Sequence, residues 1–291
     1  MWSGQEYPAR TLKNLFSGQA GQNRHSYQYK YIKVREIDMY NRERWIFLNS
    51  IETECKYAGK YGAKGEKRAK RKKPTPEQVA KQNQINKENR IRRLIKANFY
   101  PSDLWVTLKY PKGTRKPYEE VRKDMNSFLG KLRYRYRKIG NELKYIYRIE
   151  IGKRGGIHVH ILVNRTSCSK GTDVLITECW TEGFTHFTPI REAGGYKDLA
   201  EYIAKPVPEE QKEHEAAEQV KAYHPSRNLI RPKPERKTFF RWTMRKLLED
   251  GPKPTPGFYI VKESIVSGIN KFTGMSYLRY TEQRIKEVKR E

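Results

Sequence analysis

The chain has 291 residues, and its 61 lysines and arginines outnumber its 33 aspartates and glutamates, giving a formal net charge of +28. So large an excess predicts a polyanionic partner, nucleic acid first and an anionic membrane surface second. No apolar run is long enough to span a bilayer, and residues 1–14 lack a signal-peptide apolar region, so we expect a cytoplasmic protein that does not bind a membrane. Cys55, Cys168 and Cys179 form no CxxC pair, which indicates reduced, incidental thiols and argues against a cysteine zinc site or a disulfide framework.

Residues 1–95 are predicted to be an N-terminal extension. The first 50 are polar and rich in tyrosine, with strand-like stretches such as YQYKYIKV and RWIFL. Residues 60–73, KYGAKGEKRAKRKK, suit either a solvated linker or a basic arm that contacts DNA phosphates. The candidate DNA-binding residues of that arm are Lys67, Arg68, Lys70, Arg71, Lys72 and Lys73.

A polar helix is predicted to follow the basic arm. Thr75 suits the N-cap, Pro76 the first helical position, and Gln78 completes a capping box. The helix should run to about Asn98, with Ile91, Leu94 and Ile95 on its apolar side.

Residues 96–210 are predicted to form the core domain. DLWVTLKY indicates a strand, and residues 117–138 a helix with Val121, Met125, Phe128, Leu129 and Leu132 at helical spacing. LKYIYRIEI and IHVHILVN indicate two strands joined as a hairpin by GKRGG. TDVLITECW predicts a short helix, GFTHFTPI a strand, and GYKDLAEYIAK a helix. The order β-α-β-β-α-β-α predicts an α+β fold, an antiparallel β-sheet with helices on one face, close to the ferredoxin-like or RNA-recognition-motif plan.

Residues 211–291 are predicted to be a C-terminal extension. Residues 206–256 are charged and proline-rich, interrupted by RKTFFRWTMRKLLE, which favours a helix. Residues 257–281 indicate a final hairpin that turns near NKFTG.

The first candidate site is the pair His158 and His160, two apart on a strand and therefore on one face of the sheet. They are either hydrogen-bonded surface residues or two metal ligands. If residues 152–156 form the hairpin loop, Ile151 pairs with Ile157, and Glu150 lies opposite His158 on the histidine face. An odd loop length preserves this parity and an even one breaks it. Two imidazoles and a carboxylate would leave positions on a divalent ion open for water or phosphate oxygens.

The second candidate is the helix GYKDLAEYIAK. Tyr196, Leu199 and Ile203 fall on one side of it, which makes Tyr196 a packing residue. Tyr202 and Lys205 lie together on another side, three residues apart, and Pro206 ends the helix just past them. Tyr202 is either an amphipathic surface residue or a nucleophile beside a cation, able to attack a phosphodiester polarised by a metal.

Three short motifs in this order resemble those of the HUH endonucleases, specifically the rolling-circle replication initiators of plasmids, phages and integrative elements. LWVTLKY (104–110) looks like the first strand motif of the family, IHVHILV (157–163) like its HUH motif, and YIAK (202–205) like its YxxK motif. SRNLIRP (226–232) also resembles a stretch that follows the tyrosine motif in related initiators. The resemblance covers roughly residues 95–240.

The resemblance implies a mechanism. A Mg²⁺ or Mn²⁺ ion held by His158, His160 and Glu150 would polarise the scissile phosphate of a single-stranded origin segment, often exposed by a hairpin. Tyr202 would attack and remain attached to the 5′ phosphate, with Lys205 orienting the phosphate or assisting the leaving oxygen. Lys153 and Arg154 in the hairpin loop are further candidate DNA contacts. Because no GxxxxGK[ST] loop occurs, unwinding would need a host helicase, and the released 3′ hydroxyl would prime a DNA polymerase.

Two alternatives stay open. One is a relaxase or an HUH transposase of a mobile element, although relaxases usually place the tyrosine before the histidines and such transposases are usually shorter. The other is a non-catalytic protein that binds RNA or DNA through the same sheet, with Trp105, Tyr134 and Tyr136 among its aromatics. Some relatives use two tyrosines, but the helix phase places Tyr196 away from Tyr202 and favours a single-tyrosine enzyme.

Overall fold

A computed structural model describes residues 40–57, 73–152, 156–166, 169–207, 222–239, 244–269 and 276–286. The described chain divides into two compact units, one from residues 75–232 and one that joins segments before residue 75 to segments from residue 233 onward. The elements, in chain order, are β1 (Tyr40–Ile46), β2 (Ser50–Tyr57), α1 (Pro76–Asn98), β3 (Leu104–Lys109), α2 (Tyr118–Lys138), β4 (Tyr145–Ile151), β5 (Ile157–Val163), α3 (Thr172–Cys179), β6 (Phe184–Pro189), a 3₁₀ turn (Ala193–Tyr196), α4 (Lys197–Ala204), β7 (His224–Pro225), β8 (Glu235–Phe239), α5 (Met244–Asp250), β9 (Phe258–Ile269) and β10 (Ser276–Arg284).

The unit of residues 75–232 is built on a five-stranded antiparallel sheet with strand order β6-β3-β5-β4-β7. Its elements from β3 to α4 follow the predicted β-α-β-β-α-β-α order, and the predicted α+β antiparallel fold is confirmed. Alternation of apolar and polar residues along β3 and β5 gives each strand one core-facing side, which fixes the register of the sheet.

Helices pack on both faces of this sheet, so the prediction of helices on one face was wrong. On one face, α2 and α3 bury a cluster that includes Val106, Val159 and Ile161 from the strands. On the other, α1 and α4 cover Ile146 and Leu162. These two apolar residues sit at one end of the otherwise polar histidine face, and burying each contributes roughly 1.5–3 kcal/mol. Covering them brings α4 onto the same face as the histidines.

Helix α1 confirms the predicted start and end. The Thr75 hydroxyl accepts a hydrogen bond from the Gln78 backbone, and the Gln78 side chain accepts one from the Thr75 backbone. The helix ends at Asn98, and Ile91, Leu94 and Ile95 are buried as predicted.

The second unit is a five-stranded antiparallel sheet with strand order β8-β1-β2-β10-β9. Its core contains Tyr40, Cys55, Leu278 and Tyr280, with Met244 from α5. The predicted final hairpin is confirmed by the pairing of β9 with β10. Its predicted turn, NKFTG, lies outside the described residues, as do YQYKYIKV and Cys168, whereas Cys55 and Cys179 are buried free thiols.

The first half of RKTFFRWTMRKLLE does not form the predicted helix. Glu235–Phe239 is strand β8, and helix α5 begins only at Met244. Pairing with β1 overrides the local propensity, since Phe239 stacks on Tyr40 with ring centroids 4.9 Å apart.

The boundaries predicted at residues 95 and 210 stay predictions about sequence segments. In space, α1 belongs with the sheet of residues 75–232, and strands from both chain ends share the other sheet. Among the described helices, none is long and apolar enough to cross a bilayer.

Candidate active site

The histidine face of the β6-β3-β5-β4 sheet presents a grid of polar side chains. The hairpin between β4 and β5 has the predicted five-residue loop, so Ile151 pairs with Ile157 and Glu150 with His158. Strand register then defines two rows across four strands: Phe184, Lys109, His158 and Glu150 in the first, and His186, Thr107, His160 and Arg148 in the second. The predicted parity is confirmed, and Glu150 lies on the histidine face.

Tyr202 of α4 lies against this grid. Its hydroxyl donates a hydrogen bond of 2.6 Å to Oε2 of Glu150. Nε2 of His160 is 3.4 Å from the same oxygen, and the His160 and Tyr202 rings meet edge to face at 5.2 Å. The structure therefore joins three of the predicted site residues around one carboxylate oxygen.

Trp105 and Thr107 of β3 hold His160 in place. The indole of Trp105 stacks on the imidazole at 5.6 Å and meets the Tyr202 ring edge to face at 5.8 Å. Oγ1 of Thr107 is hydrogen-bonded to Nδ1 of His160 at 3.2 Å. Because Nδ1 is engaged, Nε2 is the nitrogen presented to Glu150, an outer contact of the kind that orients metal-binding histidines.

Arg148 links the carboxylate to the tyrosine helix and was missed in the sequence. Its side chain is buried, and Nε donates to Oε1 of Glu150 at 3.0 Å. Nη1 donates to the backbone carbonyls of Ile203, at 3.4 Å, and Lys205. The sequence signal was available: a charged residue two positions before Glu150 on a strand must share its face.

Gln84 of α1 completes this arrangement by donating to the Ala204 carbonyl at 3.2 Å. Three consecutive carbonyls at the C-terminal end of α4 are thus satisfied by side chains from β4 and α1. Such carbonyls have no partner within a helix, and a cation near them is favoured by the helix dipole. We call Arg148 and Gln84 the α4 clamp, because together they fix the helix end that carries Tyr202.

The electrostatics of the site follow from these contacts. The hydrogen bond with His160, the one from Tyr202 and the charge of Arg148 lower the pKa of Glu150 to about 2, against the effect of burial. Burial, then the hydrogen bond to Glu150 and its charge, raise the pKa of Tyr202 well above its ordinary value. Burial and the nearby His160 and Lys109 lower the pKa of His158, which favours the neutral imidazole that a metal requires.

The donor set fits a divalent ion in chemistry and placement but is not drawn together around one point. Within the described part of the chain, no group of three or more histidine, cysteine, aspartate or glutamate side chains is arranged to hold a metal. The His158 and His160 ring centroids are 6.4 Å apart, and Glu150 is engaged by Tyr202 and Arg148. Holding an ion there requires the three side chains to turn toward a common point.

The remaining predicted site residues are distributed as follows. Lys205 is exposed and lies one residue past the end of α4, so it does not share a helix face with Tyr202 as predicted. Tyr196 is buried in the cluster with Ile203, as predicted for a packing residue. Lys73 is exposed. The candidate DNA contacts Lys67, Arg68, Lys70, Arg71, Lys72, Lys153 and Arg154 lie outside the described residues.

Comparison with known protein families gives a match over the core of the chain. Residues 103–207 match the model of the family described as Replication-associated protein ORF2. This segment runs from the residue before β3 to just past α4 and contains the three predicted motifs. No curated protein and no solved structure matches the chain significantly. The predicted resemblance is confirmed at the level of this replication-associated family.

Proposed function

We propose, from the premise that the core of the chain matches a family of replication-associated proteins, that it is a rolling-circle replication initiator. It nicks single-stranded DNA at a specific site and transfers the 5′ end to Tyr202. The observation that carries this proposal is the hydrogen bond from the Tyr202 hydroxyl to Glu150, beside His160 on one face of the sheet. A surface tyrosine with no chemical role does not require a carboxylate and an imidazole at its hydroxyl.

The proposed reaction exchanges one phosphodiester for another. The Tyr202 oxygen bonds to the scissile phosphorus as the bond to the 3′ oxygen breaks. The tyrosine proton is lost, and the released 3′ oxygen gains one, so the charge on the phosphate is unchanged. The phosphotyrosine ester stays reactive, and the reverse attack by a 3′ hydroxyl rejoins ends.

Each residue has a role set by its position. Glu150, with its low pKa, is a weak base and orients the Tyr202 hydroxyl, while the α4 clamp keeps that hydroxyl in reach. His158, His160 and Glu150 are the residues that would hold Mg²⁺ or Mn²⁺, which when bound supplies Lewis-acid polarisation of the phosphate. Lys205, exposed just past α4, is placed to meet the phosphate of an incoming strand.

The partners follow from the reaction. The substrate is a single-stranded origin segment, exposed by a hairpin, and the net charge of +28 favours its capture. The chain is expected to act with a host helicase that extends the open region and a DNA polymerase that uses the 3′ hydroxyl. A plasmid, phage or integrative element is the expected source of the origin.

The test uses single-stranded oligonucleotides that tile the DNA flanking the gene. The wild-type protein with Mn²⁺ should nick one of them and form a covalent protein–DNA adduct that survives a denaturing gel. Y202F should bind the same strand and form no adduct, and EDTA should abolish the adduct of the wild type. Y134F, at an exposed tyrosine on the opposite side of the sheet, is the matched control and should retain full activity.

Two outcomes would contradict the proposal. One is a wild-type protein that binds a flanking strand but forms no adduct on any of them with either ion. The other is an adduct that persists in Y202F. Loss of the adduct in Y196F with normal folding would assign the chemistry to the wrong tyrosine.

A further inference from the structure

A cavity of about 480 Å³ opens beside His158, on the end of the site away from the tyrosine helix. It lies between the segment that follows β3 and the first residues of β5 and β6. Its lining includes Lys109, Lys112, Arg115, His158 and Phe184. We call it the Phe184 pocket. Its volume is within the range of pockets that hold small organic groups.

Phe184 is the unusual residue of this pocket. It is 69% exposed, although it is the first residue of a strand and shares a row with Lys109, His158 and Glu150. Two strand spacings, about 10 Å, separate it from His158 in that row. A single exposed phenylalanine is common on protein surfaces, but this ring stands on the face that carries the proposed chemistry.

The pocket is also cationic. Lys109, Lys112 and Arg115 are exposed at its margin. The neighbouring Lys116 differs, because it is paired with Asp124 at 2.7 Å and with Glu182 at 3.2 Å. Exposed cations around an exposed aromatic ring match what a single nucleotide requires, a charge for its phosphate and a flat apolar surface for its base.

We propose that the Phe184 pocket holds one unpaired base of the DNA strand, stacked on Phe184, next to the phosphate that Tyr202 attacks. Lys109 and Lys112 contact the phosphates on either side of that nucleotide. This inference rests on the proposed function, and it adds a position on the strand that the protein must find unpaired. The base is held through its face, so the pocket tolerates any base and excludes duplex DNA at this position.

The test measures equilibrium binding by fluorescence anisotropy in EDTA, with two labelled probes of equal charge. One is the 12-mer (dT)12 and the other is a 12-mer of abasic sites. The wild type should bind (dT)12 more tightly. F184A should weaken binding of (dT)12 by roughly 5- to 100-fold and leave the abasic strand unaffected, because stacking contributes about 1–3 kcal/mol per base. F184W, which keeps a stacking surface, should bind as the wild type does.

The lysines should act through salt instead. The double variant K109Q/K112Q should lower the slope of log K against log salt on both probes, by about 0.7 for each phosphate that the variant no longer neutralises. Y134A is the matched aromatic control: Tyr134 is 55% exposed beside Lys138 on α2, on the other face of the sheet. It should change neither affinity nor slope.

Three results would overturn the proposal: no preference of the wild type for (dT)12, unchanged affinity in F184A, or an equal loss on the abasic strand, which would mean a phosphate site only. These results are independent of adduct formation. If wild type forms the Tyr202 adduct but F184A binds (dT)12 normally, the proposed function stands and the pocket does not. If the F184A pattern appears without any adduct, the pocket is a base site and the proposed function fails.

Discussion

Arg148 is expected to be the residue whose loss most disturbs the site without touching DNA. Replacing it with methionine keeps the length of an apolar chain but removes the donors to Glu150, Ile203 and Lys205. Glu150 then loses its closest positive charge, and α4 loses two of the three side-chain bonds at its C-terminal end. The change should therefore affect both the stability of the unit and the position of Tyr202.

The size of the effect can be worked from the contacts. Three hydrogen bonds from a charged donor, at about 1.5–3 kcal/mol each, set an upper limit above 4 kcal/mol. Removing one partner of a buried pair costs about 3–5 kcal/mol. Water reaches Glu150, whose side chain is 26% exposed, and methionine recovers some packing. We expect R148M to lower the free energy of unfolding by about 3 kcal/mol, and R148K by roughly half as much.

Urea denaturation of the metal-free protein measures this. The matched control is R122M, since Arg122 pairs with Glu119 at 3.1 Å on an exposed helix surface and should cost less than about 1 kcal/mol. In a double-mutant cycle, R148M and E150Q should show a coupling of about 1–2 kcal/mol. If R148M behaves like R122M, or the coupling is zero, Arg148 does not hold Glu150 and α4 together.

Three further predictions concern the same unit. Because the folded pKa of Glu150, about 2, lies below the unfolded value of 4.5, its contribution is complete above pH 5 and lost as the pH falls toward 2; the stability advantage of wild type over E150Q in EDTA, about 3 kcal/mol at most, should shrink across that window, and an advantage independent of pH would contradict this. G183A should lower the free energy of unfolding by at least about 2 kcal/mol, because Gly183 has φ +156° and an added Cβ would enter the carbonyl oxygen of Lys109; G130A, on an exposed helix surface with nothing within 4 Å, should instead add about 0.5–1 kcal/mol, and equal effects would refute the steric reason. T75A should cost about 1 kcal/mol by removing the α1 N-cap, with T75S close to wild type in thermal denaturation, and an unchanged melting temperature in T75A would show that the cap contributes nothing.

Local chemistry made much of the fold predictable. The capping box at Thr75 fixed the start of α1, and the odd loop between β4 and β5 placed Glu150 opposite His158. Both features depend on residues close in sequence, where propensity and strand parity act directly. The order of elements from β3 to α4 follows from the same short-range periodicity.

Long-range contacts account for what the sequence did not reveal. The α4 clamp joins residues 57 positions apart through Arg148 and 120 apart through Gln84, and no periodicity encodes such pairs. Strand β8 forms because β1 offers it a partner, although its own residues suit a helix. Helices cover both faces of the sheet because Ile146 and Leu162 on the histidine face need burial, a requirement visible only once the register is known.

The measurement that tests the central claim most directly is mapping of the attachment site by mass spectrometry. The adduct formed by wild-type protein on its origin strand is digested with a nuclease and a protease, and the modified peptide is sequenced. We predict a nucleotide joined through its 5′ phosphate to Tyr202, and DNA downstream of the nick retained on the protein. A nucleotide on another residue, or attachment through a 3′ phosphate, would contradict this prediction.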